Sequence, residues 1–183
     1  MRSLLEAKNL WLLVSLRKKL SGKMEHGVIR ITLPGRGSHT IEHLILDLNG
    51  TISVDGRIVR GVKEKLRELS EQLEITVVTA DTNRNAEVLL AGLPVRIHTI
   101  REKQENEQKL AVVLEKGKES TVGIGNGCND VSMLRESAIG ICVVGSEGAS
   151  PEALMASDLV VPSINDALDL LRKPHRLRAT LRR

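Results

Sequence analysis

Short apolar runs recur along the chain, and each closes on a glycine or a polar cluster. Leu44-Ile45-Leu46, within a stretch from Ile41 to Leu48, is the first of these runs. Ile75–Thr79, Val95–Thr99, Thr121–Ile124, Ile139–Val144 and Leu159–Val161 follow. Runs this short and this rich in Val and Ile predict strands buried on both faces, as in a parallel sheet. Between them the apolar period changes to that of a helix. Val62, Leu66, Leu69 and Leu73 fall at i, i+4, i+7 and i+11, one stripe of a helical surface. A short helix through Val88 and Leu89 is stopped by Gly92 and Pro94. Glu105 to Glu115 places Leu110, Val113 and Leu114 on one face, with Lys109 off it and Gly117 as the stop. Met133 and Leu134 open another helix, and Ile164 to Leu171 forms a last one. Strand and helix alternating at this spacing predict an α/β fold, a three-layer doubly wound parallel sheet.

The two ends depart from this rhythm. Val28 to Leu33 alternates, Pro34-Gly35-Arg36-Gly37 turns the chain, and Ile41 begins the next strand, so a short N-terminal β-hairpin is expected. Residues 1–23 hold Leu10-Trp11-Leu12-Leu13-Val14 followed by Arg17-Lys18-Lys19. That run is too short to span a bilayer. It reads either as an amphipathic helix that touches a surface or as an extension upstream of Met24. In both cases 1–23 is an appendage and 24–183 the domain. Residues 172–183 carry six Arg and Lys and no acid, and read as a solvated, frayed tail more than as a nucleic-acid or membrane patch.

Three of the strands end in chemistry. Asp47-Leu48-Asn49-Gly50-Thr51 follows the first, Thr79-Ala80-Asp81-Thr82 the second, and Gly125-Asn126-Gly127-Cys128-Asn129-Asp130 the fourth. Asp and Asn are common turn residues, so a single cluster says little. In a parallel sheet, however, the carboxyl ends share one edge, and ligands bind there. Converging clusters fit phosphoryl transfer. Asp47 and Asp130 supply the one or two carboxylates that Mg²⁺ prefers, and the Asn49 carbonyl adds a third oxygen. Thr79 and Lys109 can hold phosphate oxygens as charge builds on them. Asp47 can attack phosphorus and carry it as an aspartyl-phosphate.

Composition removes several alternatives. Trp11 is the only Phe, Tyr or Trp among 183 residues, so stacking on single-stranded nucleic acid is nearly unavailable, which argues against a nucleic-acid partner. Cys128 and Cys142 are too few for a disulfide framework, which points to a reducing, cytoplasmic setting. The five His lack ligand spacing. Gly123-Ile124-Gly125-Asn126-Gly127-Cys128 fails as a dinucleotide fingerprint because Cys128 stands at the third glycine position.

As an ordered set these motifs resemble the haloacid dehalogenase-like phosphohydrolase superfamily, and within it the small soluble relatives of the P-type ATPase phosphorylation domain. Asp47-Leu48-Asn49-Gly50-Thr51 matches the first motif and Val77-Val78-Thr79 the second. Lys109 matches the third-motif lysine, with Lys103 the runner-up, and Gly125–Asp130 is similar to the Gly-Asp-Gly-x-Asn-Asp motif of the pumps. The resemblance implies Asp47 as nucleophile and Asn49, Thr79 and Lys109 as its catalytic companions. It implies Mg²⁺ on Asp47, Asn49, Asn126 and Asp130, and a phosphorylated substrate also touched by Leu48, Gly50, Thr79, Ala80, Lys109 and Asn129. Only 27 residues separate Thr51 from Thr79, which leaves no room for the pumps' nucleotide domain. No cap domain fits before Lys109 either. Capless members of the superfamily usually close their site by oligomerisation or with a large substrate, so a homo-oligomer is expected.

Two departures qualify the resemblance. Asn49 stands where the phosphatases have an acid–base Asp, a function typically worth about 10²–10⁴-fold. Asn126 replaces another Asp. Slow hydrolysis is therefore expected, and the competing reading is a catalytically weak or inactive regulatory or interaction module on the same fold.

Overall fold

The computed structural model describes residues 27–80 and 85–182. The expectations for residues 1–23, for the start at Met24 and for Asp81 lie outside them. Among the described residues the chain runs β1 (Ile29–Leu33), β2 (Gly37–Ile41), β3 (His43–Asp47), β4 (Ser53–Val54), β5 (Arg57–Ile58), α1 (Val62–Leu69), β6 (Glu74–Thr79), α2 (Asn85–Leu89) and β7 (Arg96–Thr99). It continues with α3 (Glu105–Lys116), β8 (Thr121–Gly125), α4 (Val131–Glu136), β9 (Ile139–Val143), α5 (Pro151–Ala156), β10 (Leu159–Val161), α6 (Ile164–Arg172) and α7 (Pro174–Leu181).

Six strands form one parallel sheet in the order β10-β9-β8-β3-β6-β7. β3 pairs with β6 on one side and β8 on the other, so the winding reverses at β3. That reversal opens the crevice in which open α/β sheets bind ligands. Burial explains why β3 is the axis: Leu44, Ile45 and Leu46 are fully buried, and helices cover both faces. Each such aliphatic side chain contributes roughly 1.5–3 kcal/mol by leaving water.

Register then aligns the polar ends. Asp47 pairs with Val78, which sets Thr79 one rung beyond it. Leu46 pairs with Ile124, which sets Gly125 beside Asp47.

Four local expectations are corrected. The strand after the turn at Gly35 is not continuous with β3. Gly37–Ile41 pairs antiparallel with β1, and Glu42 separates it from the sheet; the polar Gly-Ser-His-Thr run hid it. The inward face of α3 is Lys109, Val112 and Val113, whereas Leu114 is 56 % exposed. Two carboxylates beneath the helix make a lysine the right inward residue, and apolar period alone cannot register that. Residues 174–181 are no frayed tail: α7 buries Leu177 and Leu181 and packs on β1. Finally, α5 carries start signals that the hydrophobic pattern passed over, with Ser150 accepting from the Ala153 N–H at 3.0 Å and Pro151 in the first turn. No helix of the described residues is long and apolar enough to cross a membrane.

Candidate active site

The carboxyl edge of β3 carries Asp47, 6 % exposed, and the chain leaves it through a tight turn. Ile52 N and Ser53 N donate to the Leu48 carbonyl at 3.0 and 2.9 Å, and Gly50 N donates to Ser53 O at 2.8 Å. Gly50 has φ +75, the left-handed region that glycine tolerates best. A Cβ there would also lie 2.7 Å from Asn126 Nδ2 and 2.9 Å from Glu147 Oε2. The turn therefore needs glycine for its backbone and for its space.

Lys109 reaches the same point from the first half of α3. Its ammonium is 1 % exposed and donates to Asp47 Oδ1 at 2.7 Å and to Asp130 Oδ1 at 2.6 Å. Asp130, fully buried, turns its other oxygen to the backbone N–H groups of Asn126 and Gly127, both at 2.9 Å. Gly125 makes this approach possible, since a Cβ there would fall 2.4 Å from the Asp130 carboxyl carbon. The hydroxyl of buried Thr51 lies 3.2 Å from Asp47 Oδ2 and 3.1 Å from Asn126 Oδ1.

Two buried carboxylates thus face one ammonium, a net excess of one negative charge. Burial and then the charge of Asp130 push the Asp47 carboxyl up to about 7, against the pull of Lys109 and Thr51. Burial alone would lower the Lys109 value, but the two carboxylates outweigh it and hold it above the ordinary lysine range. A further cation would relieve the excess. The donors on offer are carboxylate, carbonyl and amide oxygens, the set that hard divalent ions take, and two carboxylates are what Mg²⁺ commonly uses. Among the described residues no third His, Cys, Asp or Glu joins them. The Asn49 carbonyl accepts none of the backbone hydrogen bonds that close the turn. The residues present fit a hard divalent cation.

Of the residues named from sequence, Asp47, Thr51, Lys109, Asn126 and Asp130 are joined by direct hydrogen bonds. Thr79 is buried at the neighbouring strand end and Ala80 is half-buried beside it. Leu48 is fully buried in the core, which leaves its backbone rather than its side chain to meet a ligand. Asn49 is exposed, and its side-chain oxygen accepts from Ser53 Oγ at 3.4 Å. Asn129 donates to Glu105 Oε2 at 2.6 Å, which ties its loop to the start of α3. Lys103, the other lysine named from sequence, is exposed in the β7–α3 loop, whereas Lys109 is buried. Cys142 is no alternative nucleophile, because burial and then the Asp130 charge push its thiol up to about 11.

Glu105 and Glu147 were missed in the sequence. Glu105 gave no signal. Glu147 stands between two glycines in the loop after β9, a hint of a loop shaped for contact.

The buried lysine thus lies between Asp47, at the end of β3, and Asp130, at the start of α4, beside the reversal of the parallel sheet. The fold agrees with solved structures. Over 76 % of this chain and 88 % of the other, it superposes with TM-score 0.62 and 13 % identity on cobalt-bound deoxy-D-mannose-octulosonate 8-phosphate phosphatase from Haemophilus influenzae. It also superposes with TM-score 0.58 and 15 % identity on the Moraxella catarrhalis 3-deoxy-D-manno-octulosonate 8-phosphate phosphatase with magnesium, phosphate and KDO. That match covers 76 % of this chain and 90 % of the other. In sequence the chain is 26 % identical over 127 residues to a soluble P-type ATPase-like phosphatase of Methanocaldococcus jannaschii, 67 % of this chain and 46 % of that protein. The chain has the haloacid dehalogenase-like fold.

It is also 47 % identical over 88 residues to an uncharacterized protein of the same archaeon, covering 45 % of this chain and 95 % of that one. No family model matches the chain. Its haloacid dehalogenase-like fold is capless: the segment between Thr79 and Lys109 holds α2, β7 and their loops and no inserted domain among the described residues.

Proposed function

We propose that the chain is a metal-dependent phosphohydrolase that works through an aspartyl-phosphate on Asp47. The observation that carries the reading is the Lys109 ammonium spanning Asp47 and Asp130 in a buried site at the sheet's switch point. The magnesium and phosphate in the Moraxella catarrhalis structure and the phosphatase among the sequence relatives support it.

A divalent ion, Mg²⁺ the first candidate, would be held by Asp47, Asp130 and the Asn49 carbonyl, with Asn126 beside it, and would neutralise charge on the phosphoryl oxygens. Thr79 and Lys109 bind those oxygens, with the backbone of the turn from Leu48 to Gly50 and Ala80 around them and Asn129 at the rim. Lys109 favours the ionised form of Asp47 and aims it, and a carboxylate oxygen of Asp47 attacks phosphorus as the bond to the leaving oxygen breaks. That leaving oxygen gets no proton from Asn49, whose amide cannot act as an acid at neutral pH. The site therefore suits acyl and aryl phosphates, whose leaving groups depart as stable anions, over alkyl phosphates. The open carboxyl edge leaves closure to a bulky substrate or a second copy of the chain.

The test is turnover of acetyl phosphate and an aryl phosphate with Mg²⁺. Activity is expected to vanish in Asp47→Asn. Unchanged activity in that variant sinks the assignment. If the wild type neither turns over these esters nor binds Mg²⁺ and beryllofluoride by calorimetry, the chain is instead the inactive module on this fold.

A further inference from the structure

The mechanism lacks a group that can take a proton from water when the aspartyl-phosphate is hydrolysed. Asn49 stands at the usual place for it and cannot do so. The loop after β9 brings a carboxylate to the same turn from another part of the chain.

Gly145 and Gly148, with φ +61 and +82, bracket Glu147. The loop begins at Gly145, whose N–H donates to Pro162 O at 3.0 Å, and its far end is hydrogen-bonded to Asn126. The position of a Cβ on Gly145 lies 3.4 Å from the Gly50 carbonyl oxygen. Asn126 Nδ2 donates to Gly148 O at 3.1 Å, and Ser150 N donates to Asn126 O at 2.9 Å. Between these anchors Glu147 Oε2 comes within 2.9 Å of the Cβ position of Gly50, the residue next to Asn49 and three after Asp47. The Glu147 side chain is exposed and makes no hydrogen bond or ion pair among the described residues. It supports nothing in the fold, yet its loop is hydrogen-bonded to Asn126, which accepts from the Thr51 hydroxyl beside Asp47. The same Cβ position of Gly50 lies 2.7 Å from Asn126 Nδ2, and Asn126 is linked through the Thr51 hydroxyl to Asp47 Oδ2.

We infer that Glu147 is the general base for the second half of the reaction, replacing the acid–base residue that Asn49 has lost. This rests on the phosphohydrolase reading above. In the step, the oxygen of a water attacks the phosphorus of the aspartyl-phosphate. The bond from phosphorus to the Asp47 oxygen breaks, and its electron pair restores the Asp47 carboxylate. The proton released by the water passes to Glu147, which returns it to solvent as phosphate leaves. A base needs only hydrogen-bond reach of that water, and the Glu147 carboxylate rests against the Gly50 turn.

The experiment follows phosphoenzyme formation and decay separately in the full chain, with acetyl phosphate and Mg²⁺. Glu147→Gln should form the phosphoenzyme at a rate within about twofold of the wild type and lose it at least about 10²-fold more slowly, so that it accumulates. Adding Asn49→Asp to Glu147→Gln should restore decay, because the proton acceptor returns at its usual place; a purely structural role for Glu147 would not be rescued that way. Unchanged decay in Glu147→Gln, or slow decay that persists in the double variant, overturns this inference alone. A wild type that never labels Asp47 overturns the phosphohydrolase reading with it.

Discussion

Replacing Lys109 by Met keeps the length of the side chain and removes its charge. The ammonium holds two carboxylate oxygens at 2.7 and 2.6 Å, so those oxygens lie within about 5 Å of each other. At an effective dielectric of about 20, two unit charges at that separation repel by about 3 kcal/mol. Both carboxyls are nearly inaccessible to water. Removing one partner of a buried ion pair typically costs about 3–5 kcal/mol, and the two figures agree. For a domain of this size that corresponds to a melting point about 6–20 °C lower.

The loss has a pH signature. The Asp47 carboxyl is already held near 7, and without the ammonium it rises further. An acid whose folded pKa is raised binds more protons folded than unfolded, so stability falls as pH climbs from its unfolded value toward its folded one. The deficit of Lys109→Met should therefore be smaller near pH 5, where Asp47 is protonated with or without the ammonium, and should widen above pH 7, by up to about 1.4 kcal/mol at pH 8. Urea unfolding in EDTA at both pH values checks it, with Leu114→Ala as the control. Leu114 is 56 % exposed, so its truncation should stay within about 0.5 kcal/mol. A deficit below about 1 kcal/mol at pH 8, or an equal one at pH 5, would refute the account of two carboxylates sharing one cation.

Other expectations follow from the same structure. Leu177→Ala should cost about 2–5 kcal/mol in urea unfolding while Arg178→Ala, exposed on the same helix, costs almost nothing; equal effects would mean that α7 is not part of the core. Burial alone would raise the Glu74 carboxyl, but Lys116, Arg96 and His43 outweigh it and hold the value below the usual carboxylate range. Its stabilisation is thus present above the unfolded pKa and lost as pH falls through the lower folded one. Glu74→Gln should accordingly be less stable than wild type at pH 7 and equal to it at low pH, and a gap that persists in acid would contradict the assignment. Asn49→Asp should speed phosphoenzyme formation from an alkyl phosphate by about 10²–10⁴-fold; no gain in an active protein would show that leaving-group protonation is not what limits it.

Much of this architecture was legible in the chain because burial and chemistry wrote the same pattern. The parallel strands are apolar on both faces, and their ends are marked by Asp47, Thr79 and Asn126–Asp130. What the pattern concealed are places where one signal opposed another. β2 is a strand built from Gly-Ser-His-Thr, held by pairing with β1 rather than by its own side chains. Lys109 was legible as a site residue from its motif, but the apolar period alone set it off the buried face of α3. Leu177 and Leu181 are lost among arginines, although two leucines four apart suffice to seat a helix. Glu147 is 100 residues from Asp47 in sequence, and its approach to Gly50 shows only in the folded chain, where Asn126 holds its loop.

The most direct measurement is chemical trapping of the phosphoenzyme. The chain is quenched in acid during turnover of labelled acetyl phosphate with Mg²⁺, and the label is mapped by peptide mass spectrometry. The account predicts a hydroxylamine-labile label on Asp47, absent from Asp47→Asn. Steady turnover with no covalent label, or with the label on any other residue, would contradict it.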